Sequence, residues 1–161
     1  MMIKTILNNN AVIAIDENEK EVVIVKNGIG FNSKKGMVLK DNDMEKVFIL
    51  QEKNVSDDMI HLLSLISEEY IEVSKKIVDY GRTVLKTGVH DSIYVTLSDH
   101  IELAVSRKKK GIAFDNAMTW SIKKTYREEY HIGEVALKII QIECGVTLPE
   151  EEAGLIALHF V

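Results

Sequence analysis

The sequence predicts two domains of different class: a small antiparallel β-sheet domain that dimerises, followed by an all-α helical bundle. Three observations predict it. Short runs rich in Val and Ile, separated by turn-forming residues, fill the first 50 residues. From Val55 onward the apolar spacing lengthens to three and four residues. Charge divides at the same place: residues 1–56 hold 8 Lys and 8 acidic residues, whereas residues 57–161 hold 12 Lys and Arg against 17 acidic residues. The expected division is therefore 1–54 and 55–161, with a short linker near residues 52–56.

In the first domain the expected strands are Met2 to Leu7, Ala11 to Ile15, Glu21 to Lys26, Met37 to Lys40 and Lys46 to Leu50. Asn8-Asn9-Asn10, Asp16-Glu17-Asn18, Asn27-Gly28 and Lys35-Gly36 supply the turns between them. Strands this close in sequence favour an antiparallel meander. About 50 residues enclose too little interior to stand alone comfortably. Packing against a second copy would cover exposed edges and bury a second apolar face, so a homodimer is a physical expectation.

The second domain reads as helices throughout. Ser56 is placed to cap a helix opening on Asp57-Asp58, with Ile60, Leu63, Ile66, Ile77 and Leu85 forming its stripe and that of the next helix. Asp91 is placed to cap a third, whose stripe is Ile93, Leu97, Ile101, Ala104 and Val105 and whose stop is Gly111. Two more are expected at about Asn116 to Glu129 and Gly133 to Glu143, the latter ended by Gly145. Thr147-Leu148-Pro149-Glu150 has capping-box spacing ahead of a last helix running to Val161, which reads as cut inside a longer protein.

Composition sets the class. Of 161 residues, 46% are hydrophobic and 28% charged, which is ordinary for a globular protein. The longest apolar run, Ala11 to Ile15, falls far short of the roughly 20 residues that span a bilayer, and the opening residues do not have the pattern of a leader. A soluble cytoplasmic protein without membrane insertion is expected. The single cysteine, Cys144, excludes an internal disulfide framework. No Gly-rich phosphate loop, HExxH helix or nucleophile elbow is present, so neither an enzyme, a cofactor nor a metal site is expected. The net charge of −5 excludes bulk attraction to polyphosphate; any nucleic-acid contact must come from a small patch.

Four groups of residues could carry function. Asn8, Asn9 and Asn10 with Lys26, Asn27, Gly28, Gly30 and Phe31 combine amides that donate and accept, glycines that admit close approach, and a ring for stacking on an unpaired base. The plainer reading is hairpin turns plus a core Phe. His100, which follows Asp99, and His159 could accept a phosphoryl group if an acid such as Asp99 orients the imidazole. The plainer reading is two half-buried helical residues, and metal binding is a weak third. Arg107-Lys108-Lys109-Lys110 suits a helix C-terminus, and Trp120, Tyr126 and Tyr130 suit a helix anchored in the bundle. Cys144 reads as packing, and His61, His90 and His131 as surface or packing residues.

Taken in order, several segments resemble one family. Ile3-Lys4 through Ile6-Leu7-Asn8-Asn9-Asn10-Ala11, then Gly28-Ile29-Gly30-Phe31 and Glu45-Lys46-Val47-Phe48, are similar to the RNA-binding domain of BglG/LicT/SacY-type transcriptional antiterminators. Asp91-Ser92-Ile93-Tyr94-Val95 leading to Ser98-Asp99-His100, and Leu148 through Gly154 leading to Ala157-Leu158-His159, resemble the first regulation domain of the same family. The resemblance implies a dimer whose β-domains grip a hairpin in nascent mRNA and so prevent a terminator from forming in a sugar-utilisation operon. It implies RNA contacts from Asn8, Asn10, Lys26, Asn27, Gly28, Phe31 and Lys4. It also implies phosphorylation of His100 and His159, supported by Asp99, by the phosphocarrier protein or a sugar permease of the phosphotransferase system. Such families usually carry a second regulatory domain. Two departures stand out: Thr5 where a Lys is common, and Lys26-Asn27-Gly28 where a Gly-basic-Gly segment is common. They motivate the alternative of a phosphorylatable dimeric signalling module without RNA binding.

Overall fold

The computed structural model describes residues 1–9, 11–26, 28–40, 47–48, 62, 65–112 and 117–161, which form two compact units, Met1–Glu68 and Glu69–Val161. Asn10, Asn27, the linker at 52–56, the 54/55 boundary and the helix expected from Ser56 lie outside the described residues.

The first unit is an antiparallel sheet of β1 (Met2–Asn8), β2 (Ala11–Ile15), β3 (Glu21–Val25) and β4 (Val47–Phe48), in that spatial order. Alternation selects the buried face. Ile3, Val12, Ala14, Val22 and Ile24 point to one side, where Ile29 and Leu39 cover them. The register aligns this set, pairing Ile3 with Ala14, Ala14 with Val22 and Val12 with Ile24. Strand β1 shifts register twice, between Ile3 and Thr5 and between Ile6 and Asn8, so Lys4 and Leu7 are extra residues that bend it. The β2–β3 turn is held by Asp16, whose Oδ1 accepts from the backbone N–H of Asn18 and of Lys20, each at 2.8 Å.

The strand expected at Met37 to Lys40 does not form. Only a bridge joins Met2 to Val38. The turn at Gly36 (φ 87°) brings this segment alongside β1, where Gly36 N–H donates to Ile3 O, Ile3 N–H to Met37 O and Leu39 N–H to Met1 O. The segment is spent on placing Leu39 in the core.

The second unit contains α1 (Glu68–Val84) from its second residue on, α2 (Ile93–Lys109), α3 (Thr119–Thr125), α4 (Arg127–Cys144) and α5 (Glu151–Leu158). The stripe expected on α2 is buried in full, and Gly145 ends α4 in the left-handed conformation (φ 67°) that favours glycine. Three boundaries differ from expectation. The break between the fourth and fifth expected helices falls at Tyr126 (φ −120°, ψ 67°), and Gly133 lies inside α4. There it serves close packing: a Cβ at Gly133 would meet the Ala153 carbonyl oxygen at 2.0 Å. Asp91 does not cap α2; Arg82 takes its carboxylate at 2.8 Å while also donating to Tyr94 Oη at 2.8 Å, which clamps the α1–α2 loop. The Thr147–Glu150 capping box is not made either. Helix α5 begins at Glu151 and stops at Leu158, while the Glu150 carboxylate lies 3.5 Å from the Tyr130 hydroxyl. Among the described residues no helix is long and apolar enough to cross a membrane.

Candidate functional site

Each unit holds one candidate site. In the sheet, β1 ends at Asn8, and the next carbonyl, of Asn9, accepts the Gly30 N–H at 2.9 Å. The approach is so close that a Cβ on Gly30 would stand 1.7 Å from the Asn8 carbonyl oxygen. Gly28 turns the chain at φ 76°, Ile29 is buried in the sheet core, and Asn32 N–H closes the turn on Gly28 O at 3.1 Å. The turn is thereby anchored at both ends, and Phe31 stands on it 80% exposed. A core Phe is thus excluded, because Ile29 supplies the apolar anchor.

The structure brings Asn8, Gly28 and Phe31 into one patch through the Gly30–Asn9 contact. Lys26 enters the same turn, its carbonyl accepting from Ile29 N–H at 3.1 Å. Lys4 does not join by any contact of its side chain; it pairs with Glu21 of β3, with both side chains about half exposed. Exposed pairs of this kind are worth at most about 1 kcal/mol, so Glu21 holds the Lys4 ammonium only weakly.

In the helical unit, His100 on α2 and His159, which caps the C-terminus of α5, are 59 positions apart, yet their rings meet edge to face with centroids 5.1 Å apart. His100 Nε2 lies 2.7 Å from Oε2 of Glu152, and Arg107 Nη2 donates to the other oxygen of that carboxylate at 2.9 Å. Glu152 is only 2% exposed. The spacing explains the meeting. His100 and Arg107 are seven residues apart, two turns along one face of α2, and Glu152 and His159 have the same separation across α5. His159 Nδ1 sits 3.3 Å from Thr96 Oγ1, one turn before His100. Burial, and then the neighbouring His100, push the His159 imidazole down to about 4, so this ring is uncharged at neutral pH.

The acid on His100 is therefore Glu152, which sequence reasoning missed together with Arg107. Asp99 is exposed, and its charge acts on Glu102, whose carboxyl is raised first by burial and then by Asp99. Among the described residues no cluster of three or more His, Cys, Asp or Glu side chains is arranged to hold a metal ion. One other expectation is corrected. Trp120 is 70% exposed and not anchored in the bundle, with Lys124 Nζ 5.0 Å from its ring centroid; of Trp120, Tyr126 and Tyr130, it is Tyr130 that is buried. His131 is an exposed residue, as expected, and lies 3.0 Å from the Tyr80 hydroxyl and 3.7 Å from Glu134. Burial and Glu69 push the Cys144 thiol up to about 11, which makes it inert at neutral pH.

Comparison with known proteins adds the following. Residues 1–57 match the model of the CAT RNA binding domain, and residues 75–161 match that of the PRD domain. The transcription antiterminator LicT of Bacillus subtilis is 42% identical over 161 residues, covering 100% of this chain and 58% of the relative. A beta-glucoside operon antiterminator of Dickeya chrysanthemi is 35% identical over 161 residues, covering 100% of this chain and 57% of the relative. A crystal structure of GlcT CAT-PRDI superposes with a TM-score of 0.80 at 31% identity, covering 99% of this chain and 95% of that one. The chain thus spans less than two thirds of the length of these two curated relatives.

Proposed function

The chain belongs to the PRD domain family, with a CAT RNA binding domain ahead of its PRD domain, and on that premise we propose that it is a transcriptional antiterminator of a sugar-utilisation operon. Two copies pair through their sheets and bind a hairpin in nascent mRNA. Holding that hairpin prevents the overlapping terminator from forming. The protein acts as a regulator in the cytoplasm and not as an enzyme.

The observation that carries this reading is the Gly30–Asn9 contact, which sets the turn bearing exposed Phe31 against the Asn8 end of β1. An A-form stem hides its base edges in a deep, narrow groove, so sequence is read where bases are bulged out, by stacking and by amide hydrogen bonds. Phe31 supplies the ring and Asn8 the amide. Asn10 and Asn27 add two more amides, Gly28 admits the backbone, and Lys26 and Lys4 face phosphates. A dimer doubles a patch that the net charge of −5 does nothing to help.

Regulation runs through His100 and His159. Each accepts a phosphoryl group from a phosphohistidine of the phosphotransferase system, on its phosphocarrier protein or a sugar permease. The group brings roughly −1 to −2 charges to a seam already holding the buried Glu152 carboxylate, and so alters the packing of α5 on α2 and with it the dimer.

Gel-shift titration of the chain with a bulged hairpin and an unbulged control tests the RNA reading. Preference for the bulged form, lost on Asn8→Ala or Phe31→Ala, is expected, with a modest salt slope of about one charge per phosphate engaged. Equal weak binding to both hairpins would overturn it in favour of a signalling module that binds no RNA.

A further inference from the structure

We propose that Glu152 is a positioning residue that holds the proton of His100 on Nε2, so that His100 accepts a phosphoryl group on Nδ1. The inference rests on the reading of His100 as a phosphoryl acceptor, and deepens it.

A carboxylate accepts only. Glu152 has one oxygen on Arg107 and the other 2.7 Å from His100 Nε2, so the proton in the second contact belongs to His100 Nε2, and the nitrogen left to attack phosphorus is Nδ1. Rotating the ring by half a turn would set a carbon against a carboxylate that is 2% exposed, leaving that oxygen without its donor. At His159 the Nδ1 atom lies 3.3 Å from the Thr96 hydroxyl, a group that can donate or accept and so fixes no tautomer.

The transfer step follows. The Nδ1 lone pair of His100 attacks the phosphorus of the donor phosphohistidine, the donor N–P bond breaks, and its electron pair returns to the donor imidazole. The His100 ring then carries phosphorus on Nδ1 and the original proton on Nε2, and so a positive charge. The Glu152 carboxylate faces that charge directly, while Arg107 keeps the carboxylate in place. His159 forms the same kind of cation on accepting a phosphoryl group, but its Nδ1 faces a hydroxyl and not a carboxylate. His100 is accordingly the faster acceptor.

Two measurements test this. Nitrogen-15 NMR of the unphosphorylated chain, labelled in histidine, is expected to show the pyridine-type resonance of His100 at Nδ1; the reverse pattern would overturn the proposal without touching the phosphorylation reading. The chain is then labelled with a phosphorylated phosphocarrier protein, using His159→Ala and His100→Ala variants to isolate each ring, and the isomer is read by phosphorus NMR. Nδ1-phosphohistidine is expected from His100. In the His159→Ala background, Glu152→Gln should give mixed isomers and labelling slower by roughly tenfold or more, the scale at which groups that orient a functional imidazole act. The Nε2 isomer on His100, or an unchanged isomer and rate in Glu152→Gln, would overturn the role of Glu152. No label on either ring from a competent donor would overturn the phosphorylation reading and this proposal with it.

Discussion

Replacing Gly30 by Ala is the sharpest perturbation of the β unit. The new Cβ would stand 1.7 Å from the Asn8 carbonyl oxygen and 2.8 Å from its carbon, and neither atom can rotate away because both are backbone. The turn at 28–32 must lift off the end of β1. Lifting breaks the 2.9 Å Gly30–Asn9 hydrogen bond, a net loss of about 1 kcal/mol. It also uncovers part of Ile29, whose full burial is worth about 1.5–3 kcal/mol. Since the turn relaxes and only part of Ile29 is exposed, the expected loss is about 2–3 kcal/mol. Hydrogen exchange at the amides of Val22, Val23 and Ile24 reads it directly; fluorescence does not, because the single tryptophan, Trp120, sits in the helical unit. Binding to the bulged hairpin should weaken in parallel, as Phe31 moves with the turn. Strand protection within about 0.5 kcal/mol of the parent, together with unchanged RNA binding, would refute the claim that this contact builds the patch.

Phe31→Ala should separate binding from folding: at 80% exposure its loss is expected to leave stability within about 0.5 kcal/mol while costing about 1–3 kcal/mol of RNA affinity, measured by denaturant unfolding and gel shift. Gly133→Ala would drive a Cβ to 2.0 Å from the Ala153 carbonyl and should destabilise the helical unit by about 1–3 kcal/mol in urea unfolding followed by Trp120 fluorescence; an unchanged midpoint would show that α4 and α5 are not packed as described. His159, depressed to about 4 from an ordinary 6.5, takes up its proton in the unfolded chain before the folded one as pH falls. Its contribution is therefore complete above about 6.5 and lost progressively towards about 4, so unfolding midpoints measured across that window should fall with pH, and less steeply in His159→Gln. A midpoint that rises as pH falls through the window, or an equal slope in both proteins, would contradict the burial of this ring.

The β unit was legible where period and punctuation agree. Ala11–Ile15 is a run of small and β-branched residues between asparagines and an Asx turn at Asp16, and its limits match the expectation. The segment at Met37 to Lys40 has similar composition but lies against the outer edge of a bent strand, so it makes a bridge where a strand was expected; the bend comes from register shifts that no periodicity announces. In the helical unit the same limit shows at Gly133. A glycine between two apolar stripes reads as a break from sequence, but within α4 it is the place where the backbone of α5 comes closest. Local propensity and tertiary approach ask for the same residue, and sequence does not say which of them is asking.

The histidine pair shows a different limit. Asp99 was attractive as the orienting acid because it adjoins His100, but consecutive residues on a helix point about 100° apart and do not face one another. The acid that reaches the ring comes from another helix, 52 positions later. A signal for it was present in the spacing: His100 with Arg107, and Glu152 with His159, are both seven apart, so each pair lies along one face of its helix. Two faces with matching separations, one offering an imidazole and a guanidinium and the other a carboxylate and an imidazole, are complementary when the helices cross. The consequence is mechanical as well as chemical. Helix α5 has its first-turn carboxylate and its capping histidine both bonded to α2, so charge placed on either ring acts on one seam. An account of regulation that names only the two histidines leaves out Glu152 and Arg107, the residues through which a new negative charge would push one helix from the other.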